Sequence, residues 1–224
     1  VEPPSSLPGQ LFLLAYDLER DRMRRSPHLG RALRAAALTE LRQQGAIADE
    51  RGRVRLVPAS AAGRHPRPGA PGRGGPGRDA LSAAVAEEIS ARQRPRKWRR
   101  WVDRNQRAAV RTVREELSAG HWIRVEHRRI LAVIPSTAVT VRDRAMVRRL
   151  HGTVDQVLRV GSSAEADPVA ASLAALLGAG EIGALRGWRA RRAVRHRLAA
   201  MEPVAGPAVA ALRAAVRSQK SQGA

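Results

Sequence analysis

No cysteine occurs in the 224 residues, and that single absence excludes disulfides, thiolate catalysis and Cys-ligated zinc together. Long apolar runs are missing too. The longest, Leu11 to Tyr16 and Val169 to Leu177, fall well short of the ~20 residues that cross a bilayer. The start of the chain has no basic segment followed by an apolar one, so the reading expects a soluble protein that stays in the cytoplasm. The six histidines are scattered without HExxH or another dense ligand spacing, which argues against a metal. The glycines from Gly69 to Gly77 lack the terminal Gly-Lys-Ser/Thr of a phosphate loop and read as linker. No nucleophile with an adjacent base and no carboxylate pair stands out, so neither an enzyme nor a cofactor is expected. Glu40, inside an apolar helical segment, is read as a structural hydrogen-bond or ion-pair partner.

Acidic residues are also scarce. Against 20 of them stand 41 basic residues, a formal net charge of +21, and only Lys97 and Lys220 among the basic ones are not arginine. A GC-rich coding sequence would explain the preference for Arg, but it leaves the excess of positive charge unexplained. Such a field seeks polyanions: nucleic acid, anionic lipid or phosphorylated ligands.

The chain reads as one mainly helical domain over 7–218 with two short hairpins, flanked by flexible tails at 1–6, which begins at Val1 without an initiator Met, and at 219–224. Ser6-Leu7-Pro8 supplies a hydroxyl cap and an early proline for a first, buried helix through Leu11 to Tyr16. A second helix spans Leu29 to Gln44, with Gly45 as its stop. Ala46 to Val57 forms a hairpin turning at Asp49 to Gly52. A mobile Gly/Pro/Arg-rich loop occupies 58–78. Helical patterning resumes at Asp79 and again from Pro95 to Ala119. The second hairpin runs from Trp122 to Ile134, turning near Glu126 to Arg129 and stopped by Pro135. Helices near 141–159, 168–178, 180–199 and 206–217 complete the chain.

The most informative pattern lies in Lys97 to Leu117. On a single helix, Trp98, Val102, Ala109 and Val113 share an apolar face, and Arg100, Arg104, Arg107, Arg111 and Arg114 form a cationic ridge opposite. Like charges at these spacings cost roughly 0.2 to 0.5 kcal/mol per pair, a cost that an anionic partner would offset. A solvated helix face is the plainer explanation. An anionic leaflet gives on the order of 1 kcal/mol per Arg, and a nucleic-acid backbone would use the same ridge. Trp98 is read as core and Trp101 as an interfacial residue.

The element order resembles the Golgi phosphoprotein 3 family. The residues that carry the resemblance are Leu11-Phe12-Leu13-Leu14-Ala15-Tyr16, then Leu33-Arg34-Ala35-Ala36-Ala37-Leu38-Thr39-Glu40-Leu41, then Gly45-Ala46-Ile47. It extends through Val110 to Leu117, the hairpin Trp122 to Ile134 and the later helices. The Ala- and Arg-rich composition suits a bacterial, actinobacterial member. What the resemblance implies is a mostly helical domain whose flat basic face binds phosphatidylinositol 4-phosphate; eukaryotic members help retain glycosyltransferases in the Golgi. The headgroup pocket would use Arg34 together with Arg107 and Arg111, with Arg114 able to replace either. At the family's Trp the chain has Arg25, a departure that bears on lipid selectivity and leaves a cationic phosphate site intact. Arg25, Arg31, Arg100 and Arg104 would extend the basic surface. The family's second hairpin takes part in self-association and meets the membrane, implicating Trp122, Ile130, Leu131 and Val133, whereas strand alternation favours core packing for Ile123 and Val125.

Together these readings expect a non-enzymatic peripheral protein of the cytoplasmic membrane face. Its partner would be an anionic phosphoinositide lipid, with a homo-oligomer and a protein cargo as further partners. Nucleic-acid binding through the same ridge and the 58–78 loop is the alternative.

Overall fold

Helix α2, Leu29–Gln43, is the element around which the others assemble, because alanines at 32, 35, 36 and 37 leave little bulk on its flanks. In the computed structural model, which describes residues 2–57, 80–92, 94–130, 134–160, 167–186 and 188–222, it packs on six other helices. These are α1 (Leu7–Leu14), α3 (Ala80–Ser90), α4 (Trp98–Val102), α5 (Gln106–Ala119), α7 (Pro168–Gly180) and α10 (Pro207–Gln222). Helix α1 is buried along its whole length and α7 at every residue from Ala170 onward, as expected of helices apolar on every side. Around this centre lie α6 (Arg144–Val160), a 3₁₀ turn at Gly183–Arg186, α8 (Trp188–Ala193) and α9 (Arg195–Ala205).

Local chemistry sets most of the boundaries. Ser6 Oγ accepts a hydrogen bond from the Gly9 amide at 3.1 Å and caps α1. Gly45, at φ +75°, turns the chain out of α2. Asp167 caps α7 by accepting from the Val169 amide at 3.1 Å. The buried Glu40 carboxylate links three helices: it accepts the Leu7 amide of α1 at 3.1 Å and the Ser82 hydroxyl of α3 at 2.8 Å. That is the structural role expected of it. The small strands are all antiparallel. They comprise β1 (Tyr16–Asp17) with β2 (Arg22–Met23), β3 (Ile47–Glu50) with β4 (Arg53–Leu56) and β5 (Arg96–Lys97), and β6 (Ile123–Ile130) with β7 (Ile134–Val141). Arg51 and Gly52 both have positive φ, the backbone a tight hairpin turn requires.

The structure corrects several boundaries. The expected helix from Pro95 to Ala119 is two helices, α4 and α5, separated at Asp103 to Asn105. Asn105 adopts a left-handed conformation, φ 47° and ψ 36°, which short amide side chains tolerate. The second hairpin is longer than expected. Pro135 sits within β7 opposite Arg129, because a two-stranded ribbon has outward backbone positions where a missing N–H costs nothing. The expected helix at 180–199 is broken by Glu181 and Gly183, both at positive φ. A further hairpin joins Tyr16 to Met23. Helix α10 continues to Gln222, beyond the expected tail boundary. At the other end, Pro4 is buried and its carbonyl accepts from Gln10 Nε2 at 2.8 Å. The loop expected at 58–78 lies outside the described residues.

Where α2 crosses α5, the helices approach so closely that a Cβ at Gly30 would stand 2.5 Å from the Gln106 carbonyl oxygen. Gly30→Ala should therefore lower the urea unfolding midpoint, by about 1–3 kcal/mol of stability. Gly152, in α6 with nothing within 4 Å of an added Cβ, is the control: Gly152→Ala should raise stability by roughly 0.5–1 kcal/mol.

Candidate anion-binding face

The basic residues of the expected ridge separate into two groups at the α4–α5 break, and a single carboxylate beneath the break holds it in place. Glu88 on α3 accepts both terminal guanidinium nitrogens of Arg34, at 3.0 and 2.9 Å, in a bidentate pair. The same carboxylate accepts Asn105 Nδ2 at 2.9 Å and Arg104 Nε at 3.1 Å. Arg34 is 1% exposed, and its Nε donates to the Trp101 carbonyl at 2.9 Å. Arg34 is thus consumed in joining α2, α3 and α4, and the expectation that it faces a headgroup is corrected on that ground. Asp103, at the break, accepts Arg31 Nε at 2.7 Å and Arg99 Nε at 3.4 Å, and Arg31 also donates to Gln219. Arg31 therefore serves an interhelical contact more than an open basic surface.

Beyond the break, α5 buries Ala109, Val113 and Leu117 at helical spacing. Arg107, Arg111 and Arg114 fall on one face at spacings of four and three. Arg107 and Arg111 are exposed and Arg114 is half-buried. Glu115 reaches Arg111 only at 4.0 Å, while Arg107 and Arg114 have no ion-pair partner among the described residues. Arg107 also lines a cavity of about 650 Å³ with Gln106 and Val110 of α5, Leu29 and Gly30 of α2, and the preceding segment Arg24 to Pro27. Three cations meet there: Arg24, Arg25 and Arg107. Arg24 is steadied by the buried Asp17 carboxylate at 3.2 Å. Arg25 and Arg107, both expected on the basic face, line this one cavity, and Arg34 does not.

The second group surrounds α4. Arg100 is exposed and has no ion-pair partner among the described residues, while Arg104 is tied to Glu88. Trp98 is core, as expected, and its Nε1 donates to Asp49 at 2.5 Å. Trp101, expected at an interface, is 2% exposed and therefore core as well. Trp122 is half-buried over Gly120 and donates through Nε1 to the Glu2 carbonyl at 2.9 Å. Ile123 is buried and Val125 half-buried against the core, in line with strand packing. Ile130 pairs through its backbone with Ile134; Leu131 and Val133 lie outside the described residues. Sequence reasoning passed over Arg24, Arg92, Arg96 and Arg99. For the last three the signal was density: seven basic residues, Arg92, Arg94, Arg96, Lys97, Arg99, Arg100 and Arg104, fall within the thirteen positions 92–104.

Burial pushes the Glu88 carboxyl up, but hydrogen bonds from Arg34 and Asn105 and the charges of Arg34 and Arg104 outweigh it and hold the group below the ordinary carboxylate range. A depressed folded value adds stability above the unfolded value and loses it as pH falls through the folded one. Stability should therefore decline with acid below about 4.5, the ordinary value for Glu88, and the decline should be shallower in Glu88→Gln, as followed by urea titrations at several pH values. Glu88→Ala leaves a guanidinium buried without its counter-charge. Because Glu88 keeps some solvent contact, the expected cost is on the order of 2–4 kcal/mol, somewhat below the fully buried case.

No curated protein matches the chain at a significant level. The family description Golgi phosphoprotein 3 (GPP34) matches residues 7–219. That match starts at the first residue of α1 and ends within α10, so it takes in the whole helical core described above. With that coverage, the chain belongs to the Golgi phosphoprotein 3 (GPP34) family.

Proposed function

We propose that the protein is a non-catalytic peripheral membrane protein that docks on anionic, phosphoinositide-containing lipid through the exposed face of α5 and the segment Arg24 to Pro27. The observation that carries this reading is the cavity lined by Arg24, Arg25 and Arg107, continued along α5 by Arg111 and Arg114. A phosphate seated there would meet Arg107, whose guanidinium has no competing carboxylate among the described residues. The two further arginines lie one and two turns along, where they can reach neighbouring headgroups. Membership of the family supports lipid or protein interaction in general. No helix among the described residues is long and apolar enough to cross a membrane, so attachment at the surface is the mode proposed.

Arginine in place of the family's Trp at position 25 replaces a stacking surface by a charge. We infer that the site reads phosphate charge more than headgroup identity. An adaptor role toward protein cargo and self-association through the β6–β7 ribbon remain parts of this proposal that follow from the family alone.

The test is vesicle sedimentation. Vesicles containing phosphatidylinositol 4-phosphate should capture the protein, and neutral vesicles should not. At about 1 kcal/mol per surface Arg, the triple change Arg107→Ala, Arg111→Ala, Arg114→Ala should weaken capture by roughly a hundredfold. Equal capture by neutral vesicles, or full capture of the triple variant, would overturn the proposal. Vesicles in which phosphatidylserine supplies the same charge test selectivity: the Arg25 departure leads us to expect capture within about a few-fold of the phosphoinositide vesicles.

A further inference from the structure

A second cleft, separate from the proposed lipid face, surrounds α4 and β5. It measures about 590 Å³ and is lined by Arg92, Arg96, Lys97, Arg99, Arg100, Trp101, Asp103 and Arg104. Six of these eight residues are cations and only one is an anion. Asp103 is already shared between Arg31 and Arg99, and Arg104 is held by Glu88. Arg92, Arg96, Lys97 and Arg100 are left with no ion-pair partner among the described residues. The strand register adds to the crowding, because β4 places Arg53 directly opposite Lys97, a like-charge cross-strand pair. A fold that gathers four uncompensated cations in one concavity incurs a repulsion that a bound anion would relieve.

The second observation is polar. Trp101 is 2% exposed, lines this cleft, and its indole Nε1 has no hydrogen-bond partner among the described residues. Buried indole N–H groups ordinarily find an acceptor, and one left without costs free energy. Backbone contacts fix the residue firmly, since its carbonyl is held by Arg34. The cleft therefore gathers four available cations against a buried indole wall, and the cations are the groups suited to clustered phosphate oxygens.

We propose that the α4–β5 cleft is a second anion site that takes a compact, multiply charged phosphate, of the di- or triphosphate class, with Arg92, Arg96, Lys97 and Arg100 as its cations. The volume suits a small ligand. An extended polyanion would be expected to track a longer row of charges, and the ridge that would supply one is interrupted at Asn105. The proposal does not depend on lipid docking, which uses α5 and the segment before α2.

The test is calorimetric titration of the full chain with inorganic tripolyphosphate at near-physiological salt. Saturable one-to-one binding is expected. The pair Arg96→Ala, Arg100→Ala, both on the surface of their elements, should weaken it by about tenfold or more. Arg107→Ala with Arg111→Ala should leave it within about threefold, because those arginines lie on the other face. Absence of binding, or equal loss from both arginine pairs, would overturn the site in favour of diffuse charge. A parallel titration with vesicles containing phosphatidylinositol 4-phosphate identifies the source of the phosphate. A matching loss of capture in Arg96→Ala, Arg100→Ala supports a headgroup in the cleft, and unchanged capture beside lost tripolyphosphate binding supports a free phosphate ligand. A DNA duplex bound more tightly than tripolyphosphate, and lost with the same pair, would overturn the small-ligand assignment.

Discussion

A buried guanidinium has to be answered by a carboxylate, and in this protein the pairing of Arg34 with Glu88 sets the arrangement of the central helices. Arg34 projects from α2, the helix at the centre of the packing, and Glu88 projects from α3. Once the two are joined, the remaining acceptor capacity of Glu88 is available to Arg104 and Asn105, and the chain between α4 and α5 is drawn onto α3. Helix α4 then lies so that the Trp101 carbonyl meets Arg34 and both of its tryptophans turn inward. A single charge pair thus organises the junction of four helices. The cations left outside it define the surface.

That arrangement divides the positive charge of the central region into two zones with different geometry. On α5 the arginines form a row on a regular helix, open to solvent and suited to a broad anionic surface. Around α4 they converge on a concavity and share it with a buried indole. The break at Asn105 separates the zones, and the tight crossing of Gly30 against Gln106 fixes the start of α5 beside the segment that carries Arg24 and Arg25. An uninterrupted helix would have merged both zones into one ridge.

Local signals in the chain led directly to much of this fold. The Ser6 cap, the Gly45 stop, the Arg51-Gly52 turn and the helical spacing of Ala109, Val113 and Leu117 all act over a few residues, and each is found in the structure. Burial of Arg34 was not legible, because its partner is 54 residues away and nothing in the neighbourhood of Leu33 and Ala35 announces a carboxylate. The α4–α5 break did have a local signal, the Asp103-Arg104-Asn105 turn chemistry, which the strong apolar periodicity on either side concealed. Trp101 looked peripheral on a single straight helix. The break rotates α4 relative to α5 and brings that ring inside. At the second hairpin, Pro135 suggested a strand end, whereas the ribbon has edge positions that accept proline.

The most direct test of this arrangement is a crystal structure at neutral pH with inositol 1,4-bisphosphate bound. The result expected is Arg34 still paired with both Glu88 oxygens and a ligand phosphate beside Arg107. The contradicting result is Arg34 released from Glu88 and turned outward onto the phosphate, which would make it a ligand-binding residue and not the structural centre of the helical junction.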